Sequence, residues 1–359
     1  MKIALDPYMF RTTPLLELPR LVAGMGYEYI ELSPREDFIP FFRHPRVDTA
    51  TIRSFKAALD GAGVKVSSLL PLFRWSGPDE DERQAAVRYW KRAIEIAVEL
   101  GVTVMNSEFN GRPENASISE AQFWKSMEEL LPIFEREGIH LALEPHPDDF
   151  IEDGLAAVNM IRGIDSPNVS FLYCAPHTFH QGGNMAEIMR SAGSLMTMLH
   201  VADCFDHRAS SGLRYITNPP GNAVRVHQHL DIGQGEVPWD TFFGTLRELE
   251  FDGIMTVCVF AWEERARESS LNKPGRDPAP HRRLGPPALT DLRQTGVWQP
   301  EGRPPRRPPA TTTDPRSTLT WPTSPPSPPP SRRGTAPPPP RRPRPPSTPA
   351  WIPPRSWPR

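Results

Sequence analysis

The sequence predicts an α/β fold, a closed (β/α)8 TIM barrel, followed by a tail that does not fold. Three observations carry this. Short apolar runs recur roughly every thirty residues, helix-like stretches lie between them, and several runs end in a residue able to bind metal or move a proton. Alternating strands and helices imply a parallel sheet with right-handed crossovers. Eight such beats imply closure, because a doubly wound sheet seldom needs eight and usually opens on a Gly-rich phosphate loop. None follows the first run, where Asp6 leads into PYMFR.

Composition sets the boundaries. Of the 45 prolines, 28 lie in residues 271–359, a stretch with 16 Lys+Arg against 4 Asp+Glu. A net charge of -2 therefore conceals an acidic body near -14 and a basic tail near +12. The chain divides into a barrel over 1–270, the usual length for this architecture, and a Pro/Arg-rich disordered tail over 271–359. Three cysteines do not suggest a disulfide framework. No stretch approaches 18 apolar residues, and MKIALDPYMF enters a strand directly. The expectation is a cytoplasmic enzyme or binding protein with no membrane partner.

The strands are expected at Lys2–Asp6, Tyr29–Ser33, Lys65–Leu70, Thr103–Asn106, His140–Glu144, Val169–Cys174, Thr197–Ala202 and Ile254–Phe260. The clearest helix runs from Asp79 to Leu100. Ala86, Trp90, Ala93, Ile94, Ala97 and Val98 share a face, and the opening PDEDE sets acids against the positive helix end. Ser117 or Ser119 should cap the next helix, with Phe123, Met127, Leu130 and Phe134 inward. Other helices are expected over Leu15–Gly26, Thr49–Gly61, Gly154–Gly163, Met185–Ala192 and Pro238–Leu249. The polar segment from Asp203 to Gly235 reads as a large functional loop.

The eighth helix is truncated: AWEERARESS begins one, and LNKPGRDPAPHRRLGPP ends it. Beyond it, too few aliphatic residues remain to offset the ordering entropy. A basic, Pro-rich tail suits a nucleic-acid arm or a ligand for aromatic peptide grooves. The plainer reading is an incidental tail, such as out-of-frame translation of GC-rich DNA.

Functional groups of α/β barrels gather at the C-terminal strand ends. Glu144 ends the fifth strand as metal ligand or general base, with His146 after it; a barrel-stabilising salt bridge is the alternative. His200 lies within the seventh run, where a lone histidine would be a core residue but this one has ligand-bearing neighbours. Cys174 and His177 form a C-x-x-H element with His180 beyond, suited to a soft divalent metal unless Cys174 is core packing. His227 and His229 alternate along an extended segment, and Gly233 and Gly235 permit the turn that follows. Cys258 lies within the last run, where packing is the simpler role, and Cys204 reads as structural. Asn106, Glu108 and Asn110 alternate at the end of the fourth strand, as suits a polyol. Glu31, Arg35, Arg214 and Tyr215 are weaker candidates for hydroxyls or a phosphate.

YEYIELSPR, DERQAAVRYWKRAIEIAVELG, MNSEFNGRPE, SMEELLPIFEREGI, FLYCAPHTFH, SSGLRYITNPPG, HQHLDIGQGEV and TVCVFAWEERA resemble the xylose-isomerase-like barrel superfamily, in its inositol-catabolism IolH-type branch. That superfamily includes sugar isomerases and epimerases, inosose dehydratases and apurinic-site endonucleases. The resemblance spans about Met1 to Ala266. It implies a sugar-phosphate isomerase or epimerase of myo-inositol catabolism, acting on inositol-derived polyols or keto-sugars by metal-assisted proton transfer. It also implies a divalent ion (Mn, Mg, Co or Zn) held by Glu, Asp, His and Glu from strands five to eight.

Glu144 and His200 match two of those ligands. Cys174 and Cys258 stand where the acids are expected, which weakens a two-glutamate relay. The resemblance also implies a rearranged metal set of Glu144, His177, His200 and His229, with Glu144 or Glu108 as base. Asn106, Asn110, His146, Arg214 and Tyr215 are then substrate contacts, and Cys174 and Cys258 further candidates. The partner is a small polyol, sugar or sugar phosphate, and a homo-oligomer stays open. Nucleic acid is expected only non-specifically through the tail. An apurinic-site endonuclease on the same barrel would need more strand-end histidines and a basic face. A non-catalytic product compromised by its tail is the third reading.

Overall fold

The computed structural model describes residues 1–205 and 229–271. Arg214, Tyr215, His227 and the tail beyond 271 lie outside the described residues. Eight parallel strands close in chain order: β1 Lys2–Leu5, β2 Tyr29–Leu32, β3 Lys65–Leu69, β4 Val104–Glu108, β5 His140–Glu144, β6 Val169–Cys174, β7 Met196–Val201 and β8 Ile254–Val257. Closure is made by β1 on β8, with Ala4 opposite Thr256 and Leu5 opposite Val257.

The helices are α1 Leu18–Ala23, α2 Thr49–Ala62, α3 Glu80–Leu100, α4 Ala116–Glu137, α5 Gly154–Ile164, α6 Ala175–His180, α7 Met185–Ala192, α8 Trp239–Glu248 and α9 Ala266–Leu271. Side-chain caps start several of them. Asp48 accepts from Thr51 N at 2.7 Å, Asp79 from Glu82 N at 2.9 Å and Asp153 from Ala156 N at 2.8 Å. Among the described residues no helix is long and apolar enough to cross a membrane.

Two shells of apolar side chains divide the core. Inside the barrel, Ala4, Ala142, Leu172, Cys174, Met198 and Ile254 form a plug beneath the mouth. Outside, strand and helix faces pack together around Trp75, Trp90, Phe123 and Phe134, with Trp75 and Trp90 stacked at 4.6 Å. The apolar plug leaves the mouth as the place where polar strand-end residues meet.

Several local expectations change. Val98 sits at the edge of the α3 stripe and is 46% exposed, while Val87, Ile96 and Leu100 fill the face instead. Neither Ser117 nor Ser119 caps α4. A 3-10 turn over Pro113–Asn115 leads in, and Ser119 Oγ accepts from Arg112 N inside. β4 extends to Glu108, opposite Glu144 in register. β8 stops at Val257 because Phe260 N and Ala261 N both turn to the His229 carbonyl. Cys258 is therefore a loop residue just past the strand. The six-residue α6 has no periodicity to betray it in the sequence.

The short α9 stands where an eighth barrel helix belongs. Ser269 and Ser270 are buried, and the Tyr27 hydroxyl donates to the Ser270 carbonyl at 2.7 Å. Losing one such bond costs about 1 kcal/mol. Tyr27→Phe should therefore lower the unfolding midpoint by roughly 2–4 °C. A chain stopped after Leu271 should melt with the full chain, as calorimetry of the three proteins would show. A lower midpoint on truncation at 271 would assign the tail a place in the core.

Candidate functional site

A pocket opens at the C-terminal ends of the strands. Its lining includes Asp6, Ser33, Glu108, Glu144, His146, His177, His200, His229 and Cys258, with Tyr8, Phe41, Leu70, Leu72 and Phe260 on its apolar side. No lysine or arginine lines it among the described residues.

At its base is a buried ion pair. His200, from β7, places Nε2 2.8 Å from Glu31 Oε1, on β2 across the barrel. Ser68 and Thr256 donate to the other Glu31 oxygen at 2.9 and 2.8 Å, and the Asn106 amide reaches Oε1 at 3.3 Å. Burial alone would raise Glu31, but the charge of His200 and these donors hold it below the usual carboxylate range. Burial would lower His200, yet Glu31 and Glu144 push it well up. His200 is thus an imidazolium with Nε2–H on Glu31 and Nδ1–H toward Glu144 Oε2, 3.4 Å away.

Glu144 lies between two imidazoles, since His177 Nδ1 is 3.3 Å from the same Oε2. Opposed by burial, the His200 charge nevertheless keeps Glu144 below its ordinary value. Among the described residues, the buried Oε2 makes no well-directed hydrogen bond. Contacts with described residues on several sides orient His229. Its Nδ1–H donates to the Cys258 carbonyl at 2.6 Å, Phe260 stacks on its ring at 4.0 Å, and Nε2 meets His177 Nε2 at 3.0 Å. Burial pushes His229 down to about 3 and His177 well below the usual range, with His146 adding to the latter. Both are neutral.

Their neutrality makes a proton puzzle. With His229 Nε2 a lone pair, a His177 proton on Nε2 leaves a lone pair against Glu144, and one on Nδ1 leaves two lone pairs facing. A cation at the strained contact turns that repulsion into coordination. Glu144 and His229 face different nitrogens of His177, so among the described residues around this centre the donor sets close enough to share one ion as they stand are those that include Cys174. His200 fits on releasing its Nδ1 proton, with Glu31 holding the other nitrogen as a carboxylate behind a ligating histidine does. Cys174 lies close enough to share a cation with Glu144 and His200, or with His177 and His229. Burial, then the charge of Glu144, pushes its thiol well above the usual range.

A second carboxylate pair flanks this centre. Glu108 stands 3.6 Å from His146 Nε2, and with Asp149 these form another compact donor group. Burial raises Glu108 despite the opposing His146, and Glu144 adds to the rise. Asp149 is raised well up by burial and by Glu108.

Glu108, Glu144, His146, His177, His200, His229 and Cys258 thus converge on one pocket. Asn106 and Asn110 do not line it. The first lies beneath His200 in the Glu31 network; the second places its N–H on Asp149 at 2.6 Å and its amide on the Glu108 carbonyl. Arg35 is bound to Asp37 and to the Thr13 carbonyl, so it holds a loop rather than an anion. His180 turns to the Phe205 carbonyl. Cys258 directs its thiol to Asp6 at 3.5 Å, and burial raises it well above the usual range. Gly235 is needed for space, because a Cβ would run into Asp203; Gly233, at φ +89°, supplies the turn.

Sequence reasoning missed Asp6, Tyr8, Ser33 and Phe260 as pocket residues and Glu31 as the node beneath. Asp6 carried a usable signal, since it ends the first apolar run as Glu144 ends the fifth. Asp203 was also missed. It accepts from Gly233 N, Val237 N and Trp239 Nε1 at 2.8, 3.0 and 3.0 Å, and so anchors the segment beginning at His229.

A family profile described as xylose isomerase-like TIM barrel matches residues 19–271. An inosose isomerase of Bacillus velezensis is 22% identical over 243 residues, 66% of this chain and 79% of the relative. D-psicose 3-epimerase from Clostridium cellulolyticum, solved with D-tagatose, superposes with a TM-score of 0.59 at 16% identity, covering 76% of this chain and 96% of that one. The IOLI protein, solved with a bound zinc atom, gives 0.58 at 18% identity, with coverage of 76% and 95%.

Proposed function

The chain belongs to the xylose isomerase-like TIM barrel family, and from that premise we propose that it is a metal-assisted isomerase or epimerase of inositol-derived keto-polyols. One observation carries the reading: Glu144, His177 and His229 form a buried run of contacts at 3.3 and 3.0 Å on the pocket floor, with His200 on its flank. The inosose isomerase relative supports the substrate class. The three carboxylates around the pocket, Asp6, Glu108 and Glu144, favour an uncharged polyol over a phosphate ester.

A divalent ion held by Glu144, His177, His229 and deprotonated His200 would supply Lewis-acid polarisation of a carbonyl and its neighbouring hydroxyl. An imidazole-rich set suits zinc or cobalt better than magnesium. The residues divide the remaining work by their environments. Glu144, kept ionised between imidazoles, is the ligand. Glu108, raised by burial, is the carboxyl that takes and returns a carbon-bound proton. His146, beside Glu108 and edge-on to His177 at 4.4 Å, positions hydroxyls near it.

Metal analysis and isotope exchange test this reading. The purified protein should hold about one equivalent of zinc or cobalt, and Glu144→Ala and His177→Ala should each lower metal affinity at least about tenfold. Unchanged affinity in both variants would remove the metal site. The wild-type protein in D2O should place deuterium on the carbon beside the carbonyl of an inosose. No incorporation into an inosose or into D-fructose would defeat the reaction class.

A further inference from the structure

We infer that Asp6 is the second proton-transfer group of this pocket, acting on the opposite face of the substrate carbon from Glu108, and that the reaction is therefore an epimerisation. The inference rests on the reading above and narrows it.

Position comes first. In a closed barrel of eight strands, β1 stands across the mouth from β4 and β5. Asp6 directly follows β1, donating its N–H to the Val257 carbonyl at 3.0 Å, and its side chain lines the pocket that Glu108 and Glu144 line from the far wall. A planar carbon between the two walls would present one face to each. An isomerisation that moves a proton between neighbouring carbons on one face needs a single such group; inversion at one carbon needs two, on opposite sides.

The surroundings of Asp6 suit a carboxyl that carries a proton. It is 4% exposed. The Tyr8 N–H and the Ser33 hydroxyl both donate to Oδ1, which fixes that oxygen as an acceptor. Among the described residues Oδ2 receives only the Cys258 thiol, at the long distance of 3.5 Å. The transferable proton therefore sits on Oδ2. Burial, with Glu31 adding to it, raises Asp6 to about 6 against the opposing Ser33 hydrogen bond. A neutral carboxyl and its carboxylate are both accessible near neutrality.

The step balances without a further reactant. The Glu108 carboxylate takes the proton from the carbon beside the carbonyl. The C–H electron pair becomes the carbon–carbon double bond of an enediolate, and the carbonyl oxygen takes the negative charge. Neutral Asp6 then gives its Oδ2 proton to the opposite face, the carbonyl re-forms, and the new C–H bond has inverted configuration. Asp6 is left as carboxylate and Glu108 as acid, and exchange with water resets both. The reverse reaction exchanges their roles.

Asp6→Asn is the test, because its amide oxygen can keep the Tyr8 and Ser33 bonds while its nitrogen points to Cys258. With the inosose probe in D2O, inversion should fall at least about 10²-fold. Deuterium wash-in to unconverted substrate, through Glu108, should stay within about threefold of wild type. Inversion within threefold of wild type would overturn the assignment, as would wash-in and inversion falling together. A second measurement uses the wild-type protein alone. Substrate deuterated at the reacting carbon, turned over once in H2O, should give inverted product without the label. Label carried into that product would show one group serving both faces and overturn the proposal. Wild-type protein that exchanges no hydrogen defeats the proposed function itself and takes this assignment with it; exchange without the Asp6 pattern defeats only the assignment.

Discussion

Glu31→Ala is expected to cost the metal-free protein about 3–5 kcal/mol of stability, more than any other single substitution considered, because it strands a buried imidazolium. Glu31 is wholly buried and His200 nearly so, and the pair is closed by Ser68, Thr256 and Asn106. Removing the acid leaves the Nε2–H of His200 without its acceptor and three polar side chains facing a void. His200 escapes part of this by losing its charge, so the cost also depends on pH. The lowered carboxyl of Glu31 contributes stability above the ordinary value of 4.5, lost as pH falls through its folded value. The raised imidazole of His200 contributes stability below 6.5, lost as pH climbs through its own higher folded value. The difference between wild type and Glu31→Ala should be largest between those limits. Urea unfolding near pH 5.5 and again near pH 9, with chelator present, measures it. A loss under about 1 kcal/mol at pH 5.5 would show that the node is not the ion pair described here.

That node was hidden in the sequence for a physical reason. Each of its members comes from a different strand, and register makes them neighbours: Glu31 lies opposite Ser68, and His200 opposite Thr256. A glutamate and a histidine 169 residues apart announce no pairing. The fold itself was legible because each strand run and amphipathic helix is a local signal, and eight alternations leave few topologies. Pocket residues were legible where a ligand type stood at the end of an apolar run beside a second one, as at Glu144 and His177, while Asp6 closed the first run alone and was passed over. Legibility failed where side chains of the same type do structural work. Asn106 and Asn110 alternate with Glu108 as polyol contacts would, yet one props a carboxylate and the other locks a loop. Cys258 looked like packing or a misplaced ligand. Its thiol in fact points to Asp6, the acid just past the neighbouring strand β1.

Glu108→Gln should lower the rate of hydrogen exchange into an inosose by about 10²–10⁴-fold while leaving metal content unchanged. Glutamine keeps the volume and one acceptor near His146 but takes no proton, so the change removes chemistry and spares packing. The contrast with Glu144 is what gives the prediction its force. The two side chains are glutamates in register on neighbouring strands, yet their environments drive them apart. Against the opposing burial, the charge of His200 keeps Glu144 ionised, which suits a ligand and makes a feeble base. Glu108 has one imidazole at 3.6 Å and the charge of Glu144 beside it, so a proton binds more readily there. Metal loss should therefore follow Glu144 substitutions, and exchange loss at full metal occupancy should follow Glu108→Gln. Measuring bound metal and deuterium incorporation on the same samples separates the two roles. Exchange in Glu108→Gln within threefold of wild type would return the base to Glu144, and metal lost with Glu108 would make it a ligand instead.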